Sequence, residues 1–471
     1  MKDLTKGSPL KLIIMFALPI LMGSIFQQAY NLTDTIIIGQ HLGKSSLSAV
    51  GSTASVVSLM INITNGLTTG FAIVVAKSFG AGDYEEMRRN IARMITFSGL
   101  ATALIITGIL CFITPLLNVL DTPESIFDEA RTYLSIVAVG LVVTLVYNLE
   151  ASILRAVGDS LVPVIILVIS TVLNIGLDLL LVVGLEMGVA GAALATVAAQ
   201  LISAVICFVY LIKKRPFLLI RKENFVFTAQ STSELLSAGL GMALMYSIVD
   251  LGSIVLQKGI NGFGEDIIAA HTAARKIFSL TIMPFSALNA TIVTFCSQNR
   301  GAKKYCRIKT GIRDSLTLSF CWATIALLLV YIAGHALVGM IVPAENAAIA
   351  DTAVLYLKWN VPFYFCLAAL LGLRSALQGL GKSLVPIICS IIELTWKIVT
   401  VAVMIPLFGG KNGTVGASLK EIGGYFGVVL SEPIIWTICG IMIVIIAVRT
   451  LRALPNEDMP SENATEERGA V

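Results

Sequence analysis

Two aspartates stand inside apolar stretches of this 471-residue chain, each with amide or hydroxyl companions at helical spacing. Gln27, Asn31 and Asp34 are separated by four and three residues, so a helix through the first stretch carries them on one face. Asn174 and Asp178, four apart in the fifth stretch, share a face in the same way. Thr196 is the matching polar group of the sixth. A carboxylate in hydrocarbon costs about 2.5–3.5 kcal/mol on an insertion scale, so it needs a reason. Helix pairing in membranes is served by neutral polar groups. The paired aspartates therefore point to function, whereas Gln27, Gln28, Asn62, Asn65, Asn148, Asn289 and Gln200 are read as interhelical hydrogen-bonding groups. Counted from the outer span ends, Asp34, Asp178 and Thr196 lie about four, six and eight residues deep, within one helical turn of one another. Two carboxylates, an amide oxygen and a hydroxyl can therefore converge. Such oxygen-only ligands suit a hard cation such as Na⁺; alternatively, desolvation and mutual repulsion leave one aspartate carrying a proton. Asp34, Asn174, Asp178 and Thr196 are thus the candidate cation-coupling set, and the metal ligands if the ion is Na⁺.

The elements that must position these groups follow from composition. Hydrophobic residues make up 56% of the chain and charged residues 13%, against about 25% charged in an ordinary soluble domain. That leaves too little polar surface for a soluble protein and predicts an all-α polytopic membrane protein. Twelve spans are expected at roughly 12–38, 47–76, 91–113, 131–153, 161–184, 188–212, 234–258, 267–297, 309–332, 350–373, 383–407 and 425–448. Long apolar blocks, without alternation, exclude an outer-membrane barrel. The net charge of +4 is small and its basic residues sit in loops, which argues against nucleic acid as a partner. Eight cysteines occur singly, without CxxC spacing, and are read as small core residues. His41, His271 and His335 are too scattered for a ligand cluster. No cleaved signal peptide is expected, because the first apolar run continues to Ile38 and no small-residue cleavage site follows it. Lys and Arg concentrate at the N-terminus, in the even-numbered connections and in the tail, which predicts cytoplasmic termini. The acidic loop of Asp121, Glu124, Asp128 and Glu129 then faces out, and the polar tail 456–471 is expected to be disordered.

The two halves repeat. Tyr30-Asn-Leu-Thr-Asp34 aligns with Tyr246-Ser-Ile-Val-Asp250, Gly82 and Arg88 with Gly301 and Arg307, and Gly158-Asp-Ser-Leu-Val-Pro163 with Gly381-Lys-Ser-Leu-Val-Pro386. Each half has six spans, an even number, so both enter from the same side and the repeat is parallel. The expected organisation is a six-helix lobe at 1–212, a cytoplasmic linker at 213–233, a second lobe at 234–448 and a tail at 449–471. Gly379-Leu-Gly381-Lys382-Ser383 imitates the end of a phosphate-binding loop, but no strand precedes it and its repeat partner lacks the lysine. Both segments read as tight turns, so uphill transport would draw on an ion gradient. Glu150 and Arg155, near the inner end of span four, are read as an interface pair. Pro19, without an amide donor, weakens the first helix soon after it enters the membrane.

Leu18-Pro19-Ile20, Tyr30-Asn31-Leu32-x-Asp34, Val50-Gly51, Gly66-Leu67-x-x-Gly70, Gly80-Ala81-Gly82-Asp83 and Gln298-Asn299-x-Gly301-Ala302 together resemble the multidrug and toxic compound extrusion (MATE) family. The similarity covers residues 7 to 450. It implies a V-shaped pair of six-helix lobes around a central cavity, and antiport of amphipathic, often cationic, drugs or toxic compounds against H⁺ or Na⁺. In members with an N-lobe cation site the matching positions are Asp34, Asn174, Asp178 and Thr196, with Pro19 as the hinge of span one. One departure stands out: other members carry a carboxylate in span ten, where this chain has Lys358 and, beyond Asp351 at the outer edge of the span, no Asp or Glu. The expected protein is therefore no enzyme. It needs no cofactor beyond the coupling ion, and works as a monomer in the plasma membrane with the bilayer and a small amphipathic substrate as partners. The alternative is a lipid-linked oligosaccharide flippase of the same wider superfamily, kept open by Arg275, Lys276 and Lys397. A receptor or intramembrane enzyme would need a soluble module, metal motif or nucleophile–base pair that the sequence lacks.

The second lobe carries its own charges. Asp250 is the repeat partner of Asp34, Lys397 of Asn174, and Val401 of Asp178. The expected arrangement pairs Lys397 with Asp250 as a tethered cation, with Glu393, one turn from Lys397, as the alternative partner. In a third arrangement Lys397 lines the cavity unpaired and attracts anionic groups.

Overall fold

The computed structural model describes residues 3–120, 122–416 and 418–458. The expectations for Asp121 and for the tail beyond residue 458 lie outside the described residues, as does the side chain of Asn31. In lipid a single apolar segment satisfies its own backbone only as a helix, and twelve helices are long and apolar enough to cross a membrane. They are α1 Pro9–His41, α2 Gly43–Gly80, α3 Tyr84–Val119, α4 Glu124–Ala156, α5 Leu161–Gly184, α6 Gly188–Lys214, α7 Ala229–Ile260, α8 Glu265–Gly301, α9 Tyr305–Gly339, α10 Ala347–Gly379, α11 Leu384–Leu407 and α12 Tyr425–Ala453. The expected all-α class and number of spans hold. Most helices run past the predicted limits, because polar residues extend them beyond the apolar run. Leu104, Val172 and Ile332 are among the large side chains left exposed, as a lipid-facing surface requires.

The first and last described residues lie at one end of the bundle. The guanidinium of Arg307 donates to the Leu4 carbonyl at 3.0 Å, and the neighbouring Cys306 amide donates to Asp458 at 2.8 Å. The lobes are joined at that end, where α2 lies against α7 and α8. The Gly66-x-x-x-Gly70 spacing puts two bare backbone positions on one face. A Cβ on Gly66 would strike Ala243, and one on Gly70 would strike the Ala238 carbonyl. Further down, Gly80 and Gly301 bring α2 and α8 into backbone contact. Helix α1 is shared between lobes. Ile13, Phe16 and Ala17 pack in the core of the second lobe, while Ile37 and Ile38 pack with Val182 and Ala192 of the first. Pro19 falls between these attachments in a helix that stays continuous from Pro9 to His41.

The segments that imitate a phosphate loop are helix-ending turns. Gly158 and Gly381 adopt φ of 85° and 79°, and the following amides close the turns by donating to Leu154 and Leu377 at 2.9 Å. A second repeat-related feature carries no sequence signal. Helix α5 winds as a π-helix over Leu179–Gly184, and α11 does so over Thr400–Met404. Each widened turn is covered by a glycine of the next helix: a Cβ on Gly191 would sit 3.0 Å from the Leu181 carbonyl oxygen, and one on Gly427 3.0 Å from that of Met404. These contacts are repeat-equivalent. Thr196, five residues after Gly191, therefore corresponds to Glu432, five residues after Gly427.

Candidate functional site

In the first lobe α1, α5 and α6 bring the candidate groups together. Asp178 is the last residue before the π segment of α5, and Asn174 stands one turn earlier; each is only 1% exposed. Asp34 on α1 lies close enough to Asp178 for their carboxyl groups to interact directly. Thr196 on α6 is tied to α1 by a 3.2 Å hydrogen bond with the Tyr30 hydroxyl. Among the described residues Asp34 Oδ1, both carboxylate oxygens of Asp178 and both polar atoms of the Asn174 amide have no hydrogen-bond partner. Buried polar atoms in native folds are almost always satisfied, and two facing carboxylates repel unless a proton or metal cation lies between them. The donor set is oxygen-only, which suits a hard cation, and a facing carboxylate pair can equally share a proton. No group of three or more His, Cys, Asp or Glu forms a metal cluster among the described residues.

Beside this pair opens a cavity of about 540 Å³. Asp34, Asn174 and Thr196 line it, and α2 and α4 complete the wall with Asn62, Asn65, Tyr133 and Asn148. Tyr133 lies within electrostatic reach of both Asp34 and Asp178, a role that sequence reading missed. The signal was present: Tyr133, Val137, Gly140, Thr144 and Tyr147 recur at helical spacing and all face the cavity. Gln200, expected as an interhelical group, is hydrogen-bonded to Thr144. Asn62 does more than join helices of its own lobe, since its amide donates to Asp250 of α7 at 2.8 Å.

That bond corrects the expected pairing in the second lobe. Lys397, 3% exposed, donates to Glu393 at 2.9 Å rather than meeting Asp250. Its stem packs where α7 is bare, since a Cβ on Gly252 would lie 2.9 Å from Lys397 Cδ. Lys397 also feels the charge of Glu432, which pairs with Arg275 at 3.5 Å. Asp250 and Glu393 are only half-buried, so Lys397 is the one fully buried charge of the three proposed. Glu150 and Arg155 do not pair either. Five residues turn a helix by about 140°, which points the two apart. Arg155 donates to Ser152 at 3.0 Å and lines an interlobe cavity of about 300 Å³ with Arg374 and Tyr246, while Glu150 faces Cys207.

Known proteins resemble this chain in sequence and fold. A model of the family described as MatE matches residues 19–180 and again residues 241–403, once in each lobe. The probable multidrug resistance protein YpnP of Bacillus subtilis (strain 168) is 25% identical over 385 residues, spanning 81% of this chain and 84% of its own. The probable multidrug resistance protein NorM of Thermotoga maritima is 25% identical over 418 residues, 88% of this chain and 89% of its own. A solved structure of a multidrug resistance MATE family transporter in an outward-facing conformation superposes with a TM-score of 0.85 at 21% identity, over 97% of this chain and 98% of the other.

Proposed function

The chain belongs to the MatE family, and from that premise we propose that it is a secondary antiporter exporting amphipathic, cationic drugs or toxic compounds in exchange for H⁺ or Na⁺. The observation that carries the reading is the facing pair of Asp34 and Asp178, of whose oxygens Asp34 Oδ1 and both of Asp178 are unpartnered among the described residues beside a large cavity. A coupling ion and a cationic substrate draw on the same negative charge, so one disfavours the other, which is the condition for exchange. In this reading Asp34 and Asp178 hold the ion, Asn174 and Thr196 supply neutral oxygens, and Tyr30 positions Thr196. The chain ends face the cytoplasm of a plasma membrane, so the lobes as described close the inner side and the cavity serves the outer. The lobes, residues 1–212 and 234–448, rock as units of a monomer about the α2–α7 seam, except that the stretch of α1 before Pro19 moves with the second lobe. Pro19 is where α1 yields, because one half of that helix follows each lobe.

Purified protein in liposomes tests this directly, with a pH or Na⁺ gradient imposed alone and efflux of a fluorescent organic cation recorded. Efflux under at least one gradient is expected. Equal, slow leakage with and without either gradient would overturn the antiport reading.

A further inference from the structure

The second lobe contains a cavity of about 370 Å³ that the exchange of cations does not use. It lies between α7, α8, α11 and α12, and Arg275, Lys276 and Lys397 line it against the carboxylate of Glu432. Two of these cations are already balanced, Lys397 by Glu393 at 2.9 Å and Arg275 by Glu432 at 3.5 Å. Lys276 is exposed and has no carboxylate within 4 Å among the described residues. Phe278 lies 4.6 Å beneath the Arg275 guanidinium and holds that plane at the cavity wall; Glu432 and Tyr356 engage part of its donor edge, and an oxyanion would take the remainder beside Lys276. The cavity therefore keeps an excess of positive charge and a built set of donors.

The first-lobe cavity has the opposite polarity, with Asp34 in its wall and no Lys or Arg. The two cavities flank one contact. Asn62 lines the first and donates to Asp250, and α7 then runs on through Ser253 to Gln257 in the wall of the second. A molecule lying across that contact meets an acidic wall at one end and a basic one at the other.

We propose that the second-lobe cavity binds a carboxylate borne by the exported amphiphile, making zwitterions the preferred substrate class, their cationic end toward Asp34. The proposal rests on the export reading and deepens it by naming the substrate chemistry. Complementary charge at both ends fixes orientation, and discrimination against the ester, which keeps the cation but lacks the carboxylate, follows from the donors left without an anion.

The test compares rhodamine B, a zwitterion with a free carboxylate, with its ethyl ester. Binding is followed by fluorescence polarisation to the full-length protein in phosphatidylcholine nanodiscs, with no gradient applied. The wild type should bind the acid more tightly than the ester. Lys276→Gln, which leaves both ion pairs intact, should weaken the acid about tenfold and the ester less than about twofold. Arg275→Lys keeps the charge opposite Glu432 but removes the planar fork, and should again weaken the acid selectively. Equal binding of acid and ester by the wild type, or equal losses for both probes in the variants, would overturn the proposal while leaving the export reading intact. Failure of the wild type to bind either probe would overturn both. Displacement of the acid when phosphatidylglycerol replaces phosphatidylcholine would assign the site to a lipid phosphate, and so overturn it for a substrate carboxylate.

Discussion

The two lobes use one scaffold and opposite charge. Each has a helix that widens into a π segment at the depth of its polar cluster, and each closes that segment with a glycine of the next helix. The side chains set on these equivalent backbones diverge. Asp34, Asn174, Asp178 and Thr196 in the first lobe correspond to Asp250, Lys397, Val401 and Glu432 in the second. The first cluster leaves oxygens without partners among the described residues, whereas the second supplies Lys397 and Arg275 to its own carboxylates. On the proposed function, a duplicated backbone would hold an exchangeable cation in one copy, while Lys397 is a tethered one in the other. The lesson is that backbone geometry and site charge diverge independently. π turns are rare and cluster at functional sites, and here the feature persists where the ligand set has changed.

The sharpest way to break this comparison is to neutralise the first cluster. Asp34→Asn and Asp178→Asn should each insert and fold normally, since Asp34 Oδ1 and both Asp178 oxygens hold no hydrogen-bond donor among the described residues. Gradient-driven efflux should fall by about tenfold or more, the equivalent of about 1.4 kcal/mol of lost ion binding. Asp250→Asn, in the second lobe, should cost only a few-fold, because Asn62 can still hydrogen-bond the amide. Full transport by both first-lobe variants at equal membrane abundance would erase the functional distinction between lobes.

A second test asks whether the tethered cation is structural. Lys397→Met should destabilise the protein in detergent by about 3–5 kcal/mol, the range for breaking a buried ion pair. Glu393→Gln should cost less, since Glu393 is 20% exposed at its side chain and Glu432 remains to face the ammonium. The double variant should recover much of the loss, measured by thermal unfolding. Strict additivity would show that these charges do not act as a pair.

Much of this arrangement was legible in the sequence. The twelve spans followed from apolar runs and the repeat from three aligned motif pairs, and Asp34 and Asp178 stood out because charge in hydrocarbon is rare. What spacing could not show was which faces meet. Asn62 looked like ordinary helix glue because its partner lies 188 residues away across the seam. Lys397 was paired with Asp250 by repeat logic, yet Glu393 is one turn away on the same helix and Asn62 had already engaged Asp250. The π segments lie in runs of Leu, Val and Ala that read equally well as regular α-helix. Gly66 and Gly70 were recognised as a motif, but their reason, the close approach of α7, needed the structure.

The comparison also sharpens within α1, whose halves belong to different lobes. Pro19→Ala restores a backbone donor between those halves and should stiffen the joint. Ser24 already donates to the Ile20 carbonyl at 3.1 Å just beyond it, so the site tolerates local adjustment. Turnover should slow severalfold while equilibrium binding of substrate changes little. Unaltered turnover would place the motion elsewhere, in the α2–α7 seam.

The smallest expected effect concerns that seam at its terminal end, where Lys77 of α2 meets Glu234 of α7 at 2.8 Å and Arg300 of α8 adds a contact at 3.6 Å. This is the main ion-pair link between lobes, but Lys77 and Glu234 are 34% and 37% exposed, so water screens much of their attraction. Pairs of this kind contribute about 0.2–1 kcal/mol and weaken in salt. Lys77→Met should therefore lower thermal stability by less than about 1 kcal/mol, and the difference from wild type should shrink as salt rises. Arg300 would keep Glu234 from being stranded. The bare glycine contacts of the same seam exclude water and do not depend on salt, so they should hold the lobes together in the variant. A loss several times larger, or one insensitive to salt, would mean that the lobes are joined by charge rather than by close backbone packing.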